Sequence, residues 1–271
     1  MKKTINIMLI IFGVCTLPLL ILCSGSDIAG GAGTGNPGKT TFTIVARDTT
    51  TANQLLKSLK VEEIVIPDSL RNYYSVDSFS VIIRRIHFVF SPEDEQRINA
   101  INVLPPLRKD PSSIVLEGPF TFNALTGIPD SVFGAVLLPE ANYTAVRLDI
   151  EDKPNKNSIF IGGTFSYRGE LRAFKFDLSL KKTSFEYKHD KGVYVSGSDS
   201  TEMKVVLDAT RWFANVNFMG CINSQTSPFD SNGVFVLNGK ITDGICAEIP
   251  KKINENIVNS GKLKVKQVKL K

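Results

Sequence analysis

Polar and apolar residues alternate along most of this chain with a period of two, the signature of strands that turn one face to a core. Phe174, Phe176, Leu178 and Leu180 alternate with Lys175, Asp177 and Ser179. Val146, Leu148 and Ile150 alternate with Arg147 and Asp149, and Met203, Val205 and Leu207 with Lys204 and Val206. Shorter runs predict strands at Thr41–Arg47, Val61–Ile66, Ser113–Leu116, Val132–Leu138, Ser158–Ile161, Ser184–Tyr187, Val193–Val195 and Val234–Leu237. Between Phe79 and Phe90 the phase changes. Phe79, Val81 and Ile83 hold odd positions, whereas Ile86, Phe88 and Phe90 hold even ones. The flip at Arg84-Arg85 predicts a β-bulge or a strand break.

Gly162-Gly163, Arg168-Gly169, Ser196-Gly197 and Asn238-Gly239 read as turns, and Asp230-Ser231-Asn232-Gly233 as a hairpin connection. Helical spacing is confined to Thr51–Lys60, Pro92–Asn99 and Pro250–Asn259. The last has Pro at its first position, Ile253 and Ile257 four apart, and Gly261 just past its end. Many short strands with regular turns predict an all-β fold over residues 41–271. The expected architecture is an antiparallel β-sandwich of immunoglobulin or transthyretin type, with one or two short helices. Glu151–Asn157, rich in charge, Pro and Asn, is where that region would divide into two halves, 41–151 and 157–271.

The N-terminus follows a different pattern. Lys2 and Lys3 precede an almost unbroken apolar run from Ile5 to Leu22, and then Cys23-Ser24-Gly25 turns polar. Charge followed by an apolar run is the layout of a secretory signal. Ending in Cys23, it resembles the lipobox of bacterial lipoproteins, although Leu22 stands where that family has a small residue. The resemblance implies that residues 1–22 are a signal peptide and that Cys23 is acylated. The alternative is an uncleaved anchor helix, because 18 apolar residues nearly span a bilayer. Either way the rest of the chain is expected outside the cytoplasm. Ser24 is not the aspartate that favours inner-membrane retention in Gram-negative lipoproteins, so the resemblance points to the outer membrane. Residues 23–40 read as a Gly-rich flexible tether with a mean reach on the order of 20–25 Å.

Export changes the charge balance. The chain carries 32 Lys+Arg and 27 Asp+Glu, a net charge of +5. Residues 1–22 contain only Lys2 and Lys3 among charged side chains, which leaves +3 for the remainder. Seven Lys and Glu255 put +6 in residues 251–271, so the body stands near −3. A basic tail on an acidic body is not a nucleic-acid footprint, and no nucleic-acid partner is expected. Lys262–Lys271 reads as a final edge strand whose lysines discourage aggregation, or as a cationic tail gripping an anionic polymer.

Gly33-Thr34-Gly35-Asn36-Pro37-Gly38-Lys39-Thr40 matches the phosphate-loop pattern letter for letter. A working phosphate loop lies between a strand and a helix. Here a flexible segment precedes it and a strand follows, so the match reads as coincidence. The body has no G-x-S-x-G, H-E-x-x-H or C-x-x-C. Its two histidines, His87 and His189, have no ligand-like spacing with the cysteines, so neither a metal site nor a cofactor is expected. In an oxidising compartment, Cys221 and Cys246 are expected to form a disulfide. The single tryptophan, Trp212, is either core or, if exposed, a platform for stacking on a sugar ring.

Two segments carry a further resemblance. Leu116-Glu117-Gly118-Pro119-Phe120-Thr121-Phe122-Asn123-Ala124-Leu125-Thr126-Gly127 and Leu138-Pro139-Glu140-Ala141-Asn142-Tyr143-Thr144-Ala145-Val146-Arg147-Leu148 are similar to a domain of unknown function in lipoproteins of the Bacteroidetes type. The resemblance covers about a third of the chain and implies a β-sandwich lipoprotein, with no activity or ligand to carry over. The expectation is a non-catalytic binding or adhesion module of the cell envelope, held to the membrane by its N-terminal lipid. Its partner would be an envelope glycan or another envelope protein. The alternatives are a structural subunit of an envelope assembly and an extracytoplasmic hydrolase without a recognisable motif.

Overall fold

The computed structural model describes residues 37–47, 64–129, 134–238 and 244–270. The signal segment, Cys23, most of the tether and the expected Thr51–Lys60 helix lie outside the described residues. The chain is an all-β sandwich of two sheets. In order, the elements are β1 (Gly38–Arg47), β2 (Ile64–Pro67), β3 (Tyr73–Phe90), α1 (Glu95–Asn99), β4 (Leu107–Asp110), β5 (Ser113–Asn123), β6 (Ile128–Pro129), β7 (Val136–Leu138) and β8 (Ala141–Glu151). They continue with β9 (Ile159–Tyr167), β10 (Glu170–Leu178), β11 (Lys182–Val195), β12 (Asp199–Asp208), α2 (Phe218–Ser224), β13 (Phe235–Leu237), α3 (Gly244–Ala247), α4 (Ile249–Asn259) and β14 (Gly261–Lys269).

The smaller sheet has the order β14-β12-β1-β7, and the larger runs β11-β8-β3-β9-β10-β13 with β2, β4, β5 and β6 attached around β3. The sheets are mixed rather than purely antiparallel: β1 pairs with β12, and β10 with β13, in parallel. Because β1 returns to pair with β12, and β3 with β9, the segments on either side of Glu151–Asn157 are interleaved. One hydrophobic cluster runs through both. Glu151–Asn157 is therefore a connection between β8 and β9, and the expected division into two halves is corrected.

The strand β3 organises the larger sheet. Its register against β5 and β8 slips between Ile83 and Arg85, at the position of the phase flip. Gly118 faces this bulge, and a Cβ there would stand 2.8 Å from the carbonyl oxygens of both Ile83 and Arg84. Past the bulge, Ile86, Phe88 and Phe90 remain in the core, while Arg85 and His87 point to the other face of the sheet. Gly162-Gly163 is not a turn. It lies within β9 where β3 passes close by, and a Cβ on Gly163 would fall 1.9 Å from the Ser75 carbonyl oxygen. Arg168-Gly169 is the expected turn. Both residues have positive φ, 52° and 82°, closing a two-residue hairpin between Tyr167 and Glu170.

Aromatic rings fill the core. Phe42 of β1 meets Phe88 and Phe122 edge-on across the two sheets. A second cluster joins Tyr74, Phe165, Phe174, Phe176, Phe213 and Phe218. Tyr143 is also buried, and its hydroxyl donates to the Pro139 carbonyl at 2.9 Å. This bond accounts for the Leu-Pro…Tyr spacing ahead of β8: the tyrosine ties the approach to its own strand. The C-terminal lysine-rich segment is an edge strand, because β14 pairs with β12 alone.

Candidate functional site

Among the described residues, three grooves of similar size open on the surface. One lies between α4 and the β10–β11 connection, with an apolar floor of Leu180, Phe185 and Val258. A second lies between β11 and β14 and is lined by lysines, among them Lys188, Lys191 and Lys262. The third, about 690 Å³, sets two aromatic rings, Tyr167 and Phe229, beside amide side chains. Tyr167 and Phe229 meet edge-on with their ring centres 5.2 Å apart. The Arg168 guanidinium lies over the Tyr167 ring at 5.1 Å, and that of Arg172 over Phe229 at 5.4 Å. Asn72, Asn223 and Gln225 complete the wall, and the Tyr167 hydroxyl donates to Asn223 Oδ1 at 3.3 Å.

Local structure holds each of these groups in place. The hairpin turn at Arg168-Gly169 carries Tyr167 and Arg168 to the rim. Asn72 ends the β2–β3 turn, where the buried Asp68 carboxylate accepts from the backbone of Leu70 and Asn72 and from the Asn72 side-chain amide. Burial, together with the nearby Asp68 charge, raises the pKa of the Tyr74 hydroxyl far above its ordinary value, so Tyr74 stays protonated beneath this turn. Asn223 sits on α2, and α2 is tied down by the Cys221–Cys246 disulfide, whose Cα atoms are 4.9 Å apart. Gln225 reaches back so that its amide lies 3.3 Å from both sulfurs. The expected disulfide is therefore present, buried behind Gln225, one of the residues that line the groove.

Other residues singled out from the sequence lie elsewhere. Trp212 is fully buried. Its ring packs against Phe79 at 4.5 Å and its Nε1 donates to Ser260 Oγ at 3.2 Å. The ligand-stacking role considered for Trp212 is thus overturned, because no ligand can reach the ring. Lys39 and Thr40 lie in strand β1, with no helix after them to cradle phosphate. His189 holds an irregular turn in β11 by contact with the Gly192 carbonyl oxygen at 2.9 Å.

His87 has richer surroundings than the strand pattern suggested. Its Nε2 lies 2.9 Å from Asp149 Oδ2, and its Nδ1 lies 3.2 Å from Ser113 Oγ and 2.8 Å from an Arg147 Nη2. Arginine only donates, so Nδ1 accepts and the proton sits on Nε2, pointed at Asp149. Ser184 donates to the other oxygen of Asp149, and Arg85 lies 2.7 Å away as a charge contact without an aligned hydrogen bond. The letters are those of a Ser-His-Asp triad, but Ser113 is fully buried and Nδ1 is occupied by arginine. This arrangement offers no accessible nucleophile and cross-links β3, β5, β8 and β11.

Burial lowers the pKa of His87, aided by Arg147 and opposed by Asp149 and Asp110. For Asp149, burial by itself would raise the pKa, but hydrogen bonds from Ser184 and His87 and the Arg85 charge outweigh it and hold the carboxyl below its usual range. The folded His87 binds its proton less readily than the unfolded one. Its contribution to stability is therefore present above about pH 6.5 and is lost as pH falls below, with a slope of at most about 1.4 kcal/mol per pH unit. The Asp149 contribution is lost only below about pH 4. Urea unfolding at pH 7.5 and 5.5 is expected to show a loss for the wild type that is smaller in His87→Gln. An equal loss in both would exclude His87 as its source.

No protein-family model, curated protein or solved structure matches this chain. The resemblance at Leu116–Gly127 and Leu138–Leu148 rests on those segments alone.

Proposed function

We propose that the protein is a non-catalytic binding module of the bacterial cell envelope, exported and held by a lipid on Cys23, and that it binds a glycan in the groove of Tyr167 and Phe229. The observation that carries this reading is the composition of the groove. It combines aromatic rings, guanidinium groups over those rings and the fixed amides of Asn72, Asn223 and Gln225, which suit a ligand with an apolar ring face and many hydroxyls. The amides are held before any ligand arrives, by Asp68 on one side and the disulfide on the other, which lowers the ordering cost of binding. Export and lipidation rest on the N-terminal pattern.

Calorimetric titration with soluble envelope glycans, including peptidoglycan fragments and neutral oligosaccharides, tests the reading. Asn223→Ala is expected to weaken binding by roughly three- to tenfold through one lost hydrogen bond, with an unchanged melting temperature because Asn223 is exposed. Binding to none of these glycans would sink the proposal.

The open edge of β14 supports a second reading, the subunit of an envelope assembly. Nine residues of strand pair on one side only, with Val268 and the following Leu270 more than half exposed. A stoichiometric protein retained through mild-detergent purification would favour it over the first.

A further inference from the structure

Resting on the glycan reading, we infer that the groove selects a sugar bearing a carboxylate, of the uronic-acid class, and that Arg168 recognises the acid. The charges around the groove carry the argument. Glu170 is paired with Arg172. Asp230 accepts from the backbone of Asn232 and Val234 within its own turn. Asp68 is buried, and both its oxygens are engaged by Asn72. These three carboxylates are therefore committed. Among the described residues, Arg168 makes no ion pair, and its one interaction is the Tyr167 ring.

Contact with the ring uses none of the guanidinium's N–H groups for a hydrogen bond, and a planar guanidinium can bind a carboxylate through two parallel hydrogen bonds. The hairpin turn fixes the backbone of Arg168 at positive φ, and the ring restricts the side chain, so little freedom remains to be lost on binding. Exposed Arg71, adjacent to Asn72, adds to the positive field on the same rim. A neutral sugar would leave the Arg168 charge unanswered, whereas an acidic one completes the charge balance of the groove.

The test titrates the whole exported protein with a galacturonic-acid oligosaccharide and with its methyl ester, which has the same rings without the charge. The acid is expected to bind roughly five- to tenfold more tightly than the ester at low salt, and the gap to narrow as ionic strength rises. Arg168→Gln should close the gap between acid and ester. Arg168→Lys should restore only part of it, since an ammonium cannot form the forked pair. Melting temperatures establish that both variants are folded. Equal affinity for acid and ester, or a gap that survives in Arg168→Gln, would overturn the inference and leave the glycan reading standing. So would an equal gain from a sulfated sugar acting through Arg168. Failure of acidic, esterified and neutral sugars alike would overturn both.

Discussion

Replacing Trp212 with alanine is expected to destabilise the protein by about 3–5 kcal/mol, the range for emptying a fully buried large aromatic site. The side chain lies where the turn at Ala209–Arg211 meets α4. It packs on Phe79 and donates to Ser260 Oγ, while the backbone carbonyl oxygen of Trp212 accepts from the Asn256 side-chain amide at 3.0 Å. Truncation leaves a cavity between β3 and α4 and removes the donor from a buried hydroxyl. In a fold of this size the loss corresponds to a fall in Tm on the order of 10 °C. Trp212→Phe retains most of the packing and loses the hydrogen bond, so its cost should be nearer 1–2 kcal/mol, an approximate figure. Thermal unfolding of both variants checks the order. A Trp212→Ala protein as stable as the wild type would contradict the buried placement.

Breaking the Cys221–Cys246 disulfide should be the other large effect. The bridge closes a loop with a sequence separation of 25, and the chain-entropy argument assigns about 3–4 kcal/mol to such a constraint. The effect extends to the groove, because Asn223 and Gln225 follow Cys221 on α2 and just beyond it. The Cys221→Ser/Cys246→Ser variant is therefore expected to unfold at lower denaturant and to bind glycan more weakly, even where it remains folded. Denaturant midpoints with and without reductant, together with titration of the double variant, measure the two effects separately. Unchanged midpoints would show that the bridge is not a constraint on the unfolded chain.

Much of the sandwich was legible in the chain because strand character is local. The odd-to-even flip at Arg84-Arg85 marked a real bulge, since a bulge is a one-residue phase error that any alternating pattern records. The helix at Ile249–Asn259 was marked by Pro250 and by the spacing of Ile253 and Ile257. α2 was missed. Phe218, Cys221 and Ile222 do have helical spacing, but seven residues give too few turns for a periodicity to stand out. Gly162-Gly163 was misread because glycine permits two things, a turn or a close approach of backbones, and only the neighbouring strand decides which. Trp212 posed the same ambiguity, since an aromatic residue suits both a core and a binding surface.

The candidate groove was not legible at all. Its walls come from Asn72, the Tyr167–Arg168 turn, and Met219 to Phe229, three segments each carrying ordinary residues and no motif. By itself the sequence determined most of the strands, though not β4 or β6, and also which faces are apolar, where the bulge falls and which cysteines could pair. Those properties depend on neighbours a few positions apart. Only the tertiary structure decided the parallel pairing of β1 with β12, the interleaving of the two halves, the burial of Trp212 and the meeting of Tyr167 with Phe229. Each of these brings together residues distant in the chain. Such contacts are selected by burial of the common core against the entropy of loop closure, and no local pattern records that balance.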